Sequence, residues 1–219
     1  MKKLKIMSAV VAFMIVAMPL ANTEVYAESF SIPKITEENK TIDVSGDCSA
    51  TVTWHLVDGT LTISGNGEMN NWFSLTYIPW KDYLNLVKTV VIESGVTNIG
   101  MGAFANMVNL SSITIPDTVT AISANTFYNC SSLRTVVIPA SVTAIGKNAF
   151  QNAGLSSITI MNPNCQIYGD GTSISARTIY GYSGSTAETY AKTYGKSFAL
   201  IGSQPITTTS STTRFLTSP

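Results

Sequence analysis

The chain has 219 residues, of which 45% are hydrophobic and 12% are charged, and 13 basic residues balance 13 acidic ones. This composition excludes an intrinsically disordered chain, and the lack of excess positive charge argues against a nucleic-acid-binding protein. One histidine and three widely spaced cysteines argue against a zinc site built from those residues. We therefore expect a folded protein with no catalytic activity, no cofactor and no metal.

Residues 1–27 are predicted to be a cleaved secretory signal peptide. Three lysines among the first five residues precede an uncharged run, residues 6–21, and Val25 and Ala27 are the small residues that signal peptidase requires. The run is too short for a membrane-spanning helix, which needs about 20 apolar residues. We expect the mature protein to be secreted or at the cell surface, with no membrane segment after cleavage.

Residues 28–45 are predicted to be a polar leader, and residues 46–85 to begin with a β-hairpin. Apolar residues alternate along both predicted strands, at Val52, Trp54, Leu56, Leu61 and Ile63. Asp58 and Gly59 between the strands suit a two-residue type I′ turn. His55, the one histidine, falls on the outward face of the first strand, and no nucleophile motif accompanies it.

The three cysteines, Cys48, Cys130 and Cys165, allow one intramolecular disulfide at most. Their spacing assigns no pair, and whether any two of them are bonded stays open. We favour the interpretation that each cysteine is a small, buried hydrophobic residue.

Residues 86–160 contain an internal repeat with a period of 23 residues, which falls to 22 before the last unit. Each unit follows the pattern L-x-x-I-x-I-P-x-x-V-T-x-I-x-x-x-A-F-x-N. Four columns keep one residue type: Val96, Val119 and Val142; Ile99, Ile122 and Ile145; Phe104, Phe127 and Phe150; Asn106, Asn129 and Asn152.

Each unit is predicted to form two short extended segments and a bend. In the second unit Ile113 and Ile115 alternate with Thr114, which is typical of a strand with one buried face, and Pro116 ends that strand. The predicted core of this unit is Leu110, Ile113, Ile115, Val119, Ile122 and Phe127. So few core residues cannot stabilise one unit alone, so the units must stack into a solenoid. We expect the Asn column to hydrogen-bond backbone groups of the loops rather than a ligand.

The pattern resembles the BspA-type leucine-rich repeats of bacterial secreted and surface proteins. The matching positions are Leu110, Ile113, Ile115, Pro116, Val119, Ile122, Phe127 and Asn129. The more familiar leucine-rich repeat places Asn or Cys where this chain has Gly95, Thr118 and Ser141, so its horseshoe geometry is not implied in detail. The resemblance implies a β-rich repeat solenoid: a right-handed, leucine-rich-repeat-like stack of about 23-residue coils with an N-terminal hairpin cap and a C-terminal helix and strand cap.

The segments that flank the repeats resemble the caps of such arrays. Residues 46–85 contain Trp54, Trp72 and Trp80, which suit closure of the N-terminal end, and we favour this interpretation over a sugar-stacking platform. Residues 161–202 are predicted to be the C-terminal cap.

The predicted C-terminal cap contains a strand at residues 178–181, a helix at residues 186–194 and a strand at residues 198–201. The helix begins with a capping box from Ser185 to Glu188 and ends at Gly195. Residues 203–219 are a Thr/Ser-rich tail or linker, so the protein is either released or continues to an anchor.

We expect a monomeric recognition or adhesion module that binds an extracellular protein partner, because members of the resembled family are associated with attachment to host matrix proteins and to other microbes. The alternative is a non-catalytic glycan-binding or scaffold component of a polysaccharide-degrading surface complex. The predicted ligand face consists of outward residues of the first strands in two continuous rows: Thr89, Ser112, Thr135 and Ser157, and Val91, Thr114, Val137 and Thr159. These small, neutral rows suit extended contact with a protein strand or a glycan.

Overall fold

The computed structural model describes residues 42–202, so the predicted signal peptide, most of the leader and the Thr/Ser-rich tail lie outside the described residues. The strands are β1 (Asp43–Asp47), β2 (Val52–Val57), β3 (Thr60–Gly65), β4 (Gly67–Glu68), β5 (Thr89–Ile92), β6 (Val96–Ile99), β7 (Ser112–Thr114), β8 (Ala121–Ile122), β9 (Thr135–Ile138), β10 (Ala144–Ile145), β11 (Ser157–Ile160), β12 (Gln166–Ile167), β13 (Thr178–Gly181) and β14 (Ser197–Leu200). The helix α1 spans Thr186–Thr193, and two 3₁₀ helices span Leu75–Tyr77 and Lys81–Tyr83. No helix between residues 42 and 202 has the length and apolar character needed to cross a membrane.

The N-terminal cap begins with the antiparallel strands β1, β2 and β3. The predicted hairpin is confirmed: Val57 pairs with Thr60, and Asp58 and Gly59 between them have φ of 47° and 82°, as a type I′ turn requires. The sequence does not predict β1. This strand crosses the boundary expected between residues 45 and 46, so the cap includes Asp43 and the residues that follow it.

Each repeat contributes one strand to each of two stacks of parallel strands. The first stack, which we call the strand face, contains β3, β5 and β7 in one sheet and β9, β11, β13 and β14 in another. The second stack contains β4, β6, β8, β10 and β12 in one continuous sheet. The repeat pattern fixes the register, since Val90 pairs with Ile113 and Val136 pairs with Ile158. The predicted solenoid is therefore confirmed.

The third side of each coil is held by backbone hydrogen bonds between turns rather than by strands. Alternate amides of one coil donate to carbonyl groups of the next, as between Asn106 and Tyr128 at 2.8 Å and between Phe127 and Ala149 at 2.7 Å. These bonds satisfy backbone groups that would otherwise be buried without partners. This side, the turn face, comprises residues 101–106, 124–129 and 147–152.

Asparagine recurs on the turn face because the backbone there is left-handed. Asn106 and Asn129 have φ of 61° and 60°, a region that few residues other than glycine tolerate. The predicted role of the column is corrected, because the amide of Asn129 donates to the side-chain oxygen of Asn106 at 2.8 Å and not to loop backbone groups. A second left-handed column, which the repeat pattern does not predict, contains Gly102, Asn125 and Asn148.

The phenylalanine column forms the centre of the core, as predicted. Phe104, Phe127 and Phe150 are fully buried, and successive ring centroids lie 5.5 and 5.0 Å apart. Each ring therefore packs on the ring of the next coil, and the column links the coils through apolar contact as well as backbone hydrogen bonds.

The three tryptophans close the N-terminal end of this column. Trp80 is fully buried, and its ring centroid lies 6.0 Å from that of Phe104. Trp54 and Trp72 are also buried and pack edge-on against Trp80, with centroids 5.8 and 5.3 Å away. Their burial supports the favoured cap interpretation over an exposed sugar-stacking platform.

The C-terminal cap has the predicted order of strand, helix and strand in β13, α1 and β14. The hydroxyl of Ser185 accepts a hydrogen bond from the amide of Glu188 at 3.2 Å, as expected for a capping box. The carboxylate of Glu188 accepts a hydrogen bond from the amide of Gly184 at 2.6 Å, one residue before Ser185, whose amide is the donor in a capping box. Gly195, with φ of 64°, follows the helix as predicted.

Candidate functional site on the strand face

The structure places the eight predicted ligand-face residues on the first strands of four coils, but in two separate groups. In one group Thr89 pairs with Ser112 and Val91 with Thr114. The other group consists of paired residues on β9 and β11, namely Thr135 with Ser157 and Val137 with Thr159. The two continuous rows expected from the sequence are therefore interrupted between β7 and β9.

The interruption is a loss of backbone pairing between two consecutive coils. The carbonyl of Lys88 accepts hydrogen bonds from the amides of Ser111 and Ser112, at 2.9 and 3.3 Å. One repeat later the same carbonyl position, at Ser111, receives no bond from any described residue. The following repeat restores the pattern, because the carbonyl of Arg134 accepts bonds from two amides of the next coil.

The other two sides of the same two coils remain closed. On the second stack the amide of Thr143 donates to the carbonyl of Thr120 at 2.8 Å, and β8 pairs with β10. On the turn face the amide of Asn125 donates to the carbonyl of Lys147 at 3.0 Å. Among the described residues, backbone pairing between these two coils is therefore lost on the strand face and kept on the other two sides.

A cleft of about 410 Å³ lies at this break. Ile113 and Ile115, predicted as core residues, are only half-buried here, whereas the equivalent Val136 and Ile138 of the next coil are buried. This corrects the prediction, and the physical reason is that β7 has no paired neighbour on that side. Val137 on the opposite wall is 59% exposed, which is unusual for a large apolar side chain.

The chemistry of the cleft is apolar with a polar margin. Its lining residues are Ile113, Thr114, Ile115, Asp117, Val137, Pro139, Ala140 and Met161. Asp117 is the one ionisable residue in this set. Exposed hydroxyl groups of Ser112 and Thr135 lie on the strands that form the two walls. The arrangement can hold an apolar side chain beside hydrogen-bonding groups.

The sequence predicts part of this surface but not all of it. Thr114 and Val137 were predicted, because they alternate with inward residues along their strands. Pro139 and Met161 were missed, since nothing in the repeat pattern indicates where two coils will separate. The outward row also continues into the caps, where Thr62 pairs with Val91.

The one histidine and the three cysteines lie outside the cleft. His55 lies 2.7 Å from a carboxylate oxygen of Asp43, and both side chains are exposed on the N-terminal cap. Burial raises the pKa of Cys48, Cys130 and Cys165 to about 12, so each is a protonated thiol near neutral pH. All three are buried and unbonded, as the favoured interpretation expects. Among residues 42–202, no three His, Cys, Asp or Glu side chains lie together as metal ligands.

A model of the BspA type leucine rich repeat region matches residues 71–172 of this chain in six copies. The chain contains a BspA-type leucine-rich repeat region. The match begins in the N-terminal cap and extends into the C-terminal cap, and it includes Trp72, Trp80 and the residues that line the cleft. This family and fold support a repeat-based binding module.

Solved structures similar to this chain include bacterial leucine-rich repeat proteins. One from Eubacterium ventriosum is 24% identical, covers 65% of this chain and 45% of its own, and has a TM-score of 0.52. The pneumococcal vaccine antigen PcpA is 16% identical, with 66% and 42% of the two chains covered and a TM-score of 0.47. One from Bacteroides ovatus is 22% identical, with 60% and 46% covered and a TM-score of 0.42.

The first of these structures supports the fold alone. This chain spans less than half the length of each of the three proteins. A search among curated proteins found no match.

Proposed function

We propose that the chain is a secreted or cell-surface recognition module that binds an extracellular protein partner through the strand face, without catalysing a reaction. The observation that carries this proposal is the break between β7 and β9. It places unpaired backbone groups beside an apolar cleft at the middle of an otherwise regular surface.

The geometry of the break favours an extended segment of a protein partner. The carbonyl of Ser111 receives no hydrogen bond from the described residues, so it can accept one from a partner amide that enters the cleft. Ile113, Ile115 and Val137 provide an apolar wall for one partner side chain. Hydroxyl groups on both sides provide hydrogen bonds that tolerate different partner sequences.

The electrostatics of the face favour a neutral or weakly basic partner. The eight predicted ligand-face residues carry no charge, and Asp117 is the one carboxylate at the cleft. Long-range steering by a charged surface is therefore weak, and we expect association to depend little on salt concentration.

The extracellular location rests on the predicted signal peptide. N-terminal sequencing of the secreted protein from the native host or a related bacterium should give a start near Glu28. Secreted material that still begins at Met1 would contradict this part of the proposal.

The binding function is tested with residues 28–219 immobilised and screened against purified extracellular matrix proteins by surface plasmon resonance. The discriminating variant carries Ser112→Arg and Thr135→Arg, which add bulk and charge at two exposed positions. A matched control carries Thr120→Arg and Gln166→Arg, two exposed positions away from the strand face. The thermal unfolding of both variants is compared with that of the parent.

We expect the strand-face variant to lose at least about tenfold in affinity, which corresponds to about 1.4 kcal/mol, while the control binds as the parent does. Equal affinities of the parent and the strand-face variant for the bound protein would overturn the assignment of the site. Failure of every matrix protein to bind the parent would overturn the proposed class of partner.

A further inference from the structure

A second pocket lies on the turn face, where the N-terminal cap meets the first two coils. Its volume is about 290 Å³, and none of its nine lining residues is charged. The lining residues include Phe73, Ala105, Asn106, Asn125 and Tyr128. The pocket shares no residue with the cleft on the strand face.

The pocket lies where the series of backbone hydrogen bonds between coils on the turn face ends. The carbonyl of Tyr128 accepts a hydrogen bond from the amide of Asn106, and the same bond recurs one coil later between Gln151 and Asn129. The equivalent carbonyl of the first coil belongs to Ala105 and receives no hydrogen bond from any described residue. Ala105 as a whole residue is 6% exposed, so most of its surface is covered by protein.

The neighbouring carbonyl groups at this end of the ladder do have partners. The amide of Trp72 donates to the carbonyl of Met101 at 2.9 Å, and the indole of Trp80 donates to the carbonyl of Ala103 at 3.0 Å. The cap therefore donates hydrogen bonds to two of these three carbonyl groups, those of Met101 and Ala103. Within residues 42–202 it donates none to the carbonyl group of Ala105. Because the repeat directs these carbonyl groups toward the preceding coil, that of Ala105 faces the cap side, where the pocket lies.

Two asparagine side chains add hydrogen-bonding groups of both kinds. The side-chain oxygen of Asn106 accepts a bond from Asn129, which orients the Asn106 amide and leaves its N–H groups as donors. The side chain of Asn125 makes no hydrogen bond to another residue within 42–202, so it presents one acceptor and two donors.

An exposed aromatic ring stands at the rim of the pocket on a fixed segment. Phe73 is 84% exposed, and it follows Trp72, whose amide is bonded to Met101. The side-chain oxygen of Asn71 also accepts a hydrogen bond from the amide of Met101 at 2.7 Å. A phenylalanine so exposed has no role in the core, and its ring faces are available to a ligand.

We propose that this pocket binds a neutral sugar residue of a glycan. A sugar ring has an apolar C–H face that packs on an aromatic ring, and its hydroxyl groups both donate and accept hydrogen bonds. The pocket supplies an exposed ring, a carbonyl acceptor and two amides, with no charge that would select an ionic ligand. An apolar peptide side chain would use the ring but leave the hydrogen-bonding groups unmatched.

The test uses residues 28–219 and soluble neutral oligosaccharides derived from cellulose, xylan, mannan and β-1,3-glucan, titrated by isothermal calorimetry. Phe73→Ala removes the exposed ring, and Asn125→Gly removes an amide while it retains the left-handed backbone, where φ is 56°. Val137→Ala, on the strand face, is the matched control.

We expect at least one oligosaccharide to bind and each pocket variant to weaken binding by about tenfold, while Val137→Ala leaves it unchanged. Absence of binding to all four oligosaccharides, or binding that both pocket variants retain, would overturn the proposal. Loss of matrix-protein binding in Phe73→Ala, without sugar binding by the parent, would also overturn it and assign the pocket to a protein ligand. The Ser112→Arg and Thr135→Arg variant should bind sugar normally, so this proposal and the protein-binding proposal fail separately.

Discussion

The indole nitrogen of Trp80 donates a hydrogen bond at 3.0 Å to the carbonyl of Ala103, a residue 23 positions further along the chain. The same ring lies over Phe104, so one side chain supplies both the apolar surface and the hydrogen-bond donor that the first coil lacks. Closure of a solenoid end requires both, because the exposed end of a coil presents core side chains and unpaired backbone groups together.

Phe127→Ala should destabilise the solenoid strongly. Phe127 is fully buried between Phe104 and Phe150, and its removal leaves a cavity in the middle of the stack. We expect a loss of about 3–5 kcal/mol in the free energy of unfolding, measured by chemical denaturation. The control is Phe73→Ala, an equal change at an exposed ring, which should have little effect. Equal free energies of unfolding for the two variants would show that the phenylalanine column does not stabilise the core.

Substitution of Asn148 should separate backbone strain from side-chain contacts. Asn148 has φ of 58°, and its side chain makes no hydrogen bond to another described residue. Asn148→Ala should therefore cost about 1–2 kcal/mol, because alanine is strained in the left-handed region. Asn148→Gly should cost less, since glycine adopts that region freely. If the glycine variant is the less stable of the two, the backbone explanation of the asparagine columns is wrong.

The three cysteines should be unreactive in the folded protein. Burial raises the pKa of Cys48, Cys130 and Cys165 to about 12, and the carboxylate of Asp47 contributes at Cys48. Because the thiolate is the reactive form, we expect no reaction with Ellman's reagent in native buffer near pH 8 and three reactive thiols per chain after denaturation. A thiol that reacts at once in native buffer would contradict its burial, and fewer than three after denaturation would indicate a disulfide.

Stability should fall in acid partly through Glu188 in the C-terminal cap. Hydrogen bonds from Lys192 and from the amide of Gly184 lower the pKa of this carboxyl below its ordinary value of 4.5. The unfolded chain therefore binds the proton more readily than the folded protein does. The stabilisation from ionised Glu188 is complete above about pH 4.5 and is lost as the pH falls through the lower pKa of the folded state.

Glu188→Gln provides the comparison for this acid effect. We expect the variant to be less stable than the parent near neutral pH and the two melting temperatures to converge as the pH falls. A constant difference in melting temperature across the acid range would show that protonation of Glu188 does not contribute.

Local patterns in the sequence were sufficient for most of the fold. Alternation of apolar residues located the hairpin strands, and Asp58-Gly59 identified the turn because both residues need positive φ. The repeat columns identified Phe127 and its neighbours as core, since a side chain that recurs at one position of every coil meets its own copies in the stack. Strand β1 escaped prediction because its residues, from Asp43 to Asp47, are mostly polar and half-exposed at a sheet edge.

The sequence by itself determined that this protein is a capped stack of repeats, because the period, the inward columns and the cap motifs are properties of residues close together along the chain. Only the tertiary structure decided where the stack is incomplete. The carbonyl groups of Ser111 and Ala105 belong to ordinary repeat positions, and what distinguishes them is a partner missing from the preceding or following coil. Hydrogen-bond pairing between coils depends on the relative placement of segments more than 20 residues apart, so both candidate binding sites emerge only when the coils are stacked.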